Sequence, residues 1–70
     1  MIALVTGGGG FLGGAIVRRL VARGDTVRSF TRSKYPWLND FGVQQIIGDL
    51  SKADDVAKAV EGADIVFHVA

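Results

Sequence analysis

The stretch LVTGGGGFLGG, residues 4–14, sets four consecutive glycines between an apolar run and the start of a helical pattern. So much bare backbone serves either a turn packed too tightly for side chains or the approach of a ligand to the main chain. Ile2 to Val5 are continuously apolar, as expected of a strand buried on both faces. Beyond the glycines, Gly13, Ile16, Val17, Leu20 and Val21 recur at the spacing of one helix face, with Arg18, Arg19 and Arg23 opposite. Gly24 closes that helix.

The pattern then repeats. Thr26 to Thr31 are β-branched and aromatic enough for a second strand, and Ser33 and Pro36 open a short helix or turn that Gly42 ends. Val43 to Ile47 read as strand three, with Gln44 and Gln45 giving it the polarity of an edge. Ser51-Lys52-Ala53-Asp54 approximates a capping box ahead of the helical stripe Ala53, Val56, Ala57 and Val60. Gly62 closes this helix, and Ile65 to Val69 form strand four. The order β-α-β-α-β-α-β describes an α/β chain, the N-terminal half of a Rossmann doubly wound parallel sheet with strand order 3-2-1-4. Residues 1–70 make a single partial domain on this reading. Ligands of such sheets bind outside the carboxyl ends of the strands, where the order reverses, and the glycines sit there.

Composition narrows the function classes. With 70 residues and no cysteine, the chain forms one small unit without disulfides or thiolate metal sites. It has neither a basic n-region nor an apolar stretch long enough for a signal peptide or membrane span, so a cytoplasmic location is expected. A net charge of +1 argues for neither nucleic acid nor a membrane surface. The charge is unevenly placed: Arg18, Arg19, Arg23, Arg28, Arg32 and Lys34 face only Asp25 in residues 1–35, the half that holds the glycine tract. Arg18, Arg19 and Arg23 have no interleaved aromatics and read as the wet face of a helix. An apolar fourth strand left as a sheet edge is what a fragment of a longer protein would show.

The glycines satisfy more than one phosphate-loop pattern. A P-loop is excluded, because Gly14 and Ala15 stand where its lysine and hydroxyl residue belong. Gly8, Gly10 and Gly13 fit G-x-G-x-x-G, and Gly7, Gly10 and Gly13 fit the wider G-x-x-G-x-x-G. Early glycines then turn the chain out of strand one, Gly10 admits a pyrophosphate to the backbone, and Gly13 packs closely on the sheet. Strand two ends in Thr31-Arg32-Ser33, where an acid would bind a free ribose 2′-hydroxyl. A cation with two hydroxyls suits a 2′-phosphate and favours NADP, with NAD as the alternative. His68 has no partner spaced for a triad or a metal and reads as structural or pocket-lining. Tyr35 and Trp37, beside Pro36, could touch a ligand but are expected to cover the core, while Asp49 either meets a ligand or merely precedes the cap.

LVTGGGGFLG, VRSFTRS, IIGDL and VFHVA together resemble the N-terminal part of the extended short-chain dehydrogenase/reductase family, of the NAD-dependent epimerase/dehydratase type. The wording is nearest its 3-beta-hydroxysteroid dehydrogenase-like branch. The resemblance implies that Thr6, Gly7, Gly10 and Gly13 form the glycine motif and that Phe11 and Leu12 lend amides to the pyrophosphate. It further implies that Asp49 binds the adenine amino group, that Leu50 meets the ring through its amide, and that Val69 and Ala70 line the adenosine side. Family catalysis uses a tyrosine with a lysine four residues later. The only tyrosine here is Tyr35, with Asn39 in that place, so the catalytic residues are expected elsewhere in a longer protein. The implied whole is an oxidoreductase interconverting a small-molecule secondary alcohol and a ketone, hydroxysteroid dehydrogenase-like or 3-oxoacyl reductase-like, with a homodimer open to the full-length protein. Two other readings stand beside it. One is a non-catalytic dinucleotide-binding regulatory module; the other is an NAD-dependent nucleotide-sugar epimerase/dehydratase, which would usually carry an acid at position 31.

Overall fold

The computed structural model describes residues 1–69. In chain order it comprises β1 (Ile2–Thr6), α1 (Phe11–Ala22), β2 (Thr26–Thr31), α2 (Pro36–Asn39), β3 (Gln44–Ile47), α3 (Ala53–Val60) and β4 (Ile65–His68). The four strands form one parallel sheet in the order β3-β2-β1-β4. Thr6 lies level with Phe30 on one side and His68 on the other, so the carboxyl ends of β1, β2 and β4 finish in line.

Helices on both faces explain the continuous apolar run of β1. Alternate side chains point to opposite faces, so Ala3 and Val5 enter one core with Val17, Leu20, Val27, Leu38 and Val43. Leu4 enters a second, smaller core with Phe30 and Ala59. A strand clothed on both sides has no wet face on which to place a polar residue. β3 and β4 bound the described sheet. The polar edge expected at β3 is there, whereas Ile65 and Val66 on β4 are exposed apolar residues.

Gly24, Gly42 and Gly62 follow the three helices with φ of +88°, +71° and +75°, the left-handed geometry that ends a helix without a Cβ penalty. Strand ends differ from expectation by one residue. Val43 lies in the turn, its amide directed to the Leu38 carbonyl, and β4 stops at His68 because the Val69 amide donates to the Thr6 hydroxyl instead. The capping box does not form. Lys52 is the residue preceding α3, with no side-chain cap, while the Ser51 amide and hydroxyl both donate to Asp49 Oδ1 at 2.9 and 2.8 Å. An aspartate two residues upstream offers a stronger local acceptor and closes an Asx turn first.

Arg28 ties the second helix layer to the sheet. From β2 its guanidinium donates to the Ala59 carbonyl at 3.1 Å and to that of Glu61, at the carboxyl end of α3. These carbonyls have no intrahelical donor, and a cation there also complements the helix dipole. Arg28→Met, which keeps the apolar stem, is expected to cost about 1.5–3 kcal/mol. The urea midpoint measures it, and an unchanged midpoint would mean that water replaces the guanidinium without loss.

Candidate functional site

The glycine tract divides by physical task. Gly7 has φ of +73° and turns the chain out of β1, with its amide on the Phe30 carbonyl at 3.2 Å and its own carbonyl accepting from Gly10 at 3.0 Å. A Cβ on Gly8 would stand 2.6 Å from Ser29 Oγ, and one on Gly9 would strike the Tyr35 ring. A Cβ on Gly13 would overlap the Gly7 carbonyl, reaching its carbon at 2.7 Å. Gly13 therefore packs against the turn itself, not against the sheet as its motif position suggests. Gly10 is different: its φ is −82°, and the nearest atom to an added Cβ is the Gly7 oxygen, 3.4 Å away. The protein's own packing makes no comparable demand for glycine at position 10.

The first α-helical bond of α1 runs from the Gly14 amide to the Gly10 carbonyl at 2.8 Å. The amides of Phe11, Leu12 and Gly13 come before it, where helix geometry supplies no partner. The side chains of Phe11 and Leu12 stay clear of the core, with Phe11 98% exposed, while Gly13 is buried.

Beside the turn, at the carboxyl ends of β1, β2 and β3, lies a groove of about 530 Å³. Gly7, Thr31, Arg32 and Ser33 line it, opposite Gly48, Asp49, Leu50 and Ser51, with Phe30 and Tyr35 adding aromatic surface. Six of the expected site residues are thus brought together. Gly10, Phe11, Leu12 and Gly13 stand at the adjoining helix start, outside the groove lining, and Ala70 lies outside the described residues. Thr6 and Val69 join in a different way. The Thr6 hydroxyl oxygen accepts from the Val69 amide at 3.0 Å and lies 2.8 Å from His68 Nδ1, binding the end of β4 to β1. His68 lines a separate apolar cavity with Leu4, Leu50 and Val66, in keeping with a pocket-lining histidine.

The groove has charge on both walls. Arg32, 86% exposed, reaches to 4.0 Å from Asp49 Oδ2. The Asp49 carboxyl is held below its ordinary range first by the hydrogen bonds from the Ser51 amide and hydroxyl; burial opposes them, and the charges of Arg32 and Lys52 assist. Asp49 is therefore an anion at neutral pH and only accepts hydrogen bonds. Thr31 donates its hydroxyl proton to the Ser33 carbonyl at 2.7 Å, which braces the loop and leaves the exposed Arg32 and Ser33 side chains as the donors that this triplet presents to the groove. Among the described residues no cluster of His, Cys, Asp or Glu could hold a metal, and no helix is long and apolar enough to cross a membrane.

One contributor escaped sequence reasoning. Asp55 Oδ2 accepts the Asp49 amide at 3.0 Å and so sets the loop between β3 and α3. Its sequence signal was an acid in the first turn of a helix, which by itself indicates only a dipole contact. Tyr35 packs on the core as anticipated and also forms part of the groove wall. Trp37 covers the core too, edge-on to Phe41 and with Arg18 stacked 5.1 Å from its ring centre.

A parallel sheet ordered 3-2-1-4, with a glycine turn at the reversal and a groove beside it over the ends of β1, β2 and β3, defines the doubly wound α/β class. Within it, the chain belongs to the 3-beta hydroxysteroid dehydrogenase/isomerase family, whose sequence pattern matches residues 4–70. It is 57% identical to a 2-alkyl-3-oxoalkanoate reductase of Stenotrophomonas maltophilia, over 97% of this chain and 21% of that protein. It is 45% identical to a 3-beta-hydroxysteroid dehydrogenase of Mycolicibacterium neoaurum, over 96% of this chain and 18% of that one. A short-chain dehydrogenase/reductase superfamily structure from Agrobacterium tumefaciens, with bound NAD, superimposes on the whole chain at a TM-score of 0.84 and 30% identity, using 20% of its own length. The chain spans about a fifth of the length of these relatives.

Proposed function

We propose that this chain is the dinucleotide-binding part of an NADP(H)-dependent oxidoreductase that interconverts a secondary alcohol and a ketone. The observation that carries it is Gly10, the glycine of the turn that neither its dihedrals nor its neighbours explain, at the start of α1. A pyrophosphate drawn to the amides of Phe11, Leu12 and Gly13 needs bare backbone at that point. Arg32 and Ser33 then take the 2′-phosphate, the anionic Asp49 accepts from the adenine amino group, and the Leu50 amide meets the ring. Val69, whose amide is held by the Thr6 hydroxyl, lines the adenosine side of the crevice between β1 and β4.

When bound, the nicotinamide supplies or accepts the hydride. The tyrosine and lysine that would move the proton belong to the longer protein. The named relatives support a 3-oxoacyl or a 3β-hydroxysteroid substrate, since one acts on a 2-alkyl-3-oxoalkanoate and another on a 3-beta-hydroxysteroid. NAD is the alternative cofactor, favoured by the Agrobacterium neighbour that holds it.

The test is Gly10→Ala in the full-length protein, titrated with NADPH and NADH. A methyl there is expected to weaken dinucleotide binding about tenfold or more, equivalent to ~1.4 kcal/mol, while the unfolding midpoint moves little. Unaltered cofactor affinity would defeat the reading.

A further inference from the structure

Gln45 performs a task that its place on an edge strand does not require. Its carboxamide pairs with the backbone of Tyr35 on both sides: Oε1 accepts the Tyr35 amide at 2.8 Å, and Nε2 donates to the Tyr35 carbonyl at 2.9 Å. Nε2 also donates to Asn39 Oδ1 at 2.9 Å. The orientation of the amide follows from these partners, because reversing it would set donor against donor and acceptor against acceptor. The neighbouring Gln44 is exposed and makes no comparable bond among the described residues.

The backbone so held carries one wall of the groove. The Tyr35 ring rests on the glycine turn, where a Cβ on Gly9 would come within 2.6 Å of its Cγ. At the other end of the segment, the Thr31 hydroxyl holds the Ser33 carbonyl. Arg32 and Ser33 therefore project from a loop fastened at both ends, although their own side chains are exposed. Fastening a loop in its binding conformation removes the entropy that a ligand would otherwise have to overcome.

We propose that Gln45 is a positioning residue for cofactor selectivity, holding the Arg32 to Tyr35 segment against the glycine turn so that Arg32 and Ser33 are placed for the 2′-phosphate. The assignment rests on the cofactor reading above. Gln45 touches no ligand on this account; it acts through the Tyr35 backbone. A merely structural role would lower both cofactor affinities together, whereas a positioning role changes their ratio.

The experiment is titration of the full-length protein and its Gln45→Leu variant with NADPH and NADH, with thermal unfolding followed alongside. The expected result is a fall of about five- to tenfold in the NADPH-to-NADH affinity ratio, as the loss of one or two hydrogen bonds that hold the loop would give. A ratio that does not move, whether both affinities fall or neither does, overturns the assignment alone. If Gln45→Leu does not fold, Gln45→Asn decides in its place. That substitution stays polar and uncharged but is one methylene too short to keep both bonds to the Tyr35 backbone; a ratio lowered two- to threefold, roughly half a kcal/mol, supports the assignment, and an unchanged ratio overturns it. Wild-type protein that binds neither dinucleotide, or binds NADH the more tightly, overturns the cofactor reading and this assignment with it.

Discussion

Gly13→Ala is expected to destabilise the fold by about 3 kcal/mol or more, the upper end for forcing a methyl into packed structure. The added carbon overlaps the Gly7 carbonyl and comes 3.1 Å from the Gly8 Cα, so every obstacle is main chain. That main chain cannot retreat: the Gly7 amide is bonded to Phe30 and its carbonyl to Gly10. Alanine's better helix propensity returns about 1 kcal/mol, too little to offset the clash. Gly14→Ala is the control. Its Cβ would meet the Trp37 ring at 3.2 Å, and a side chain can yield where backbone cannot. Denaturation midpoints of the two variants test the difference, and equal midpoints would mean that the turn is softer than its hydrogen bonds imply.

Arg32→Asp is expected to reverse the cofactor preference, with NADPH affinity falling about 10- to 100-fold as one or two charge-assisted contacts are lost. The 2′-phosphate would then meet like charge, and the ribose hydroxyls of NADH would gain an acceptor. Asp49 modifies the outcome. It lies 4.0 Å from the guanidinium in the wild type, so the new carboxylate is placed beside an existing anion. The gain for NADH should therefore be smaller than the loss for NADPH. Arg32→Gln separates the two effects by removing the cation without adding an anion. Titration of each variant with both dinucleotides gives the answer; a wild-type preference for NADH would sink the argument from Arg32.

Much of this architecture is legible in the sequence because it depends on local properties. The alternation of strand and helix follows from apolar spacing, and the helix ends follow from Gly24, Gly42 and Gly62, whose left-handed backbone is a single-residue property. The strand order came from the class of fold, and the structure agrees with it. Where signals competed over a few residues, the reading slipped. Ser51 looked like a cap until Asp49 captured its amide and hydroxyl.

The sequence by itself determined the class of fold, the place of the glycine turn at the strand reversal, and the segments that converge there. It could not say which glycine does what, since a clash between Gly13 and Gly7, or between Gly9 and Tyr35, exists only once the turn has closed. Nor could it distinguish Gln45 from Gln44, or give Asp55 its hold on the Asp49 amide, because side-chain to backbone bonds between separate segments leave no periodic trace. Tertiary structure decided those roles: a hydrogen bond acts over about 3 Å, and only the packed chain brings its two ends that close.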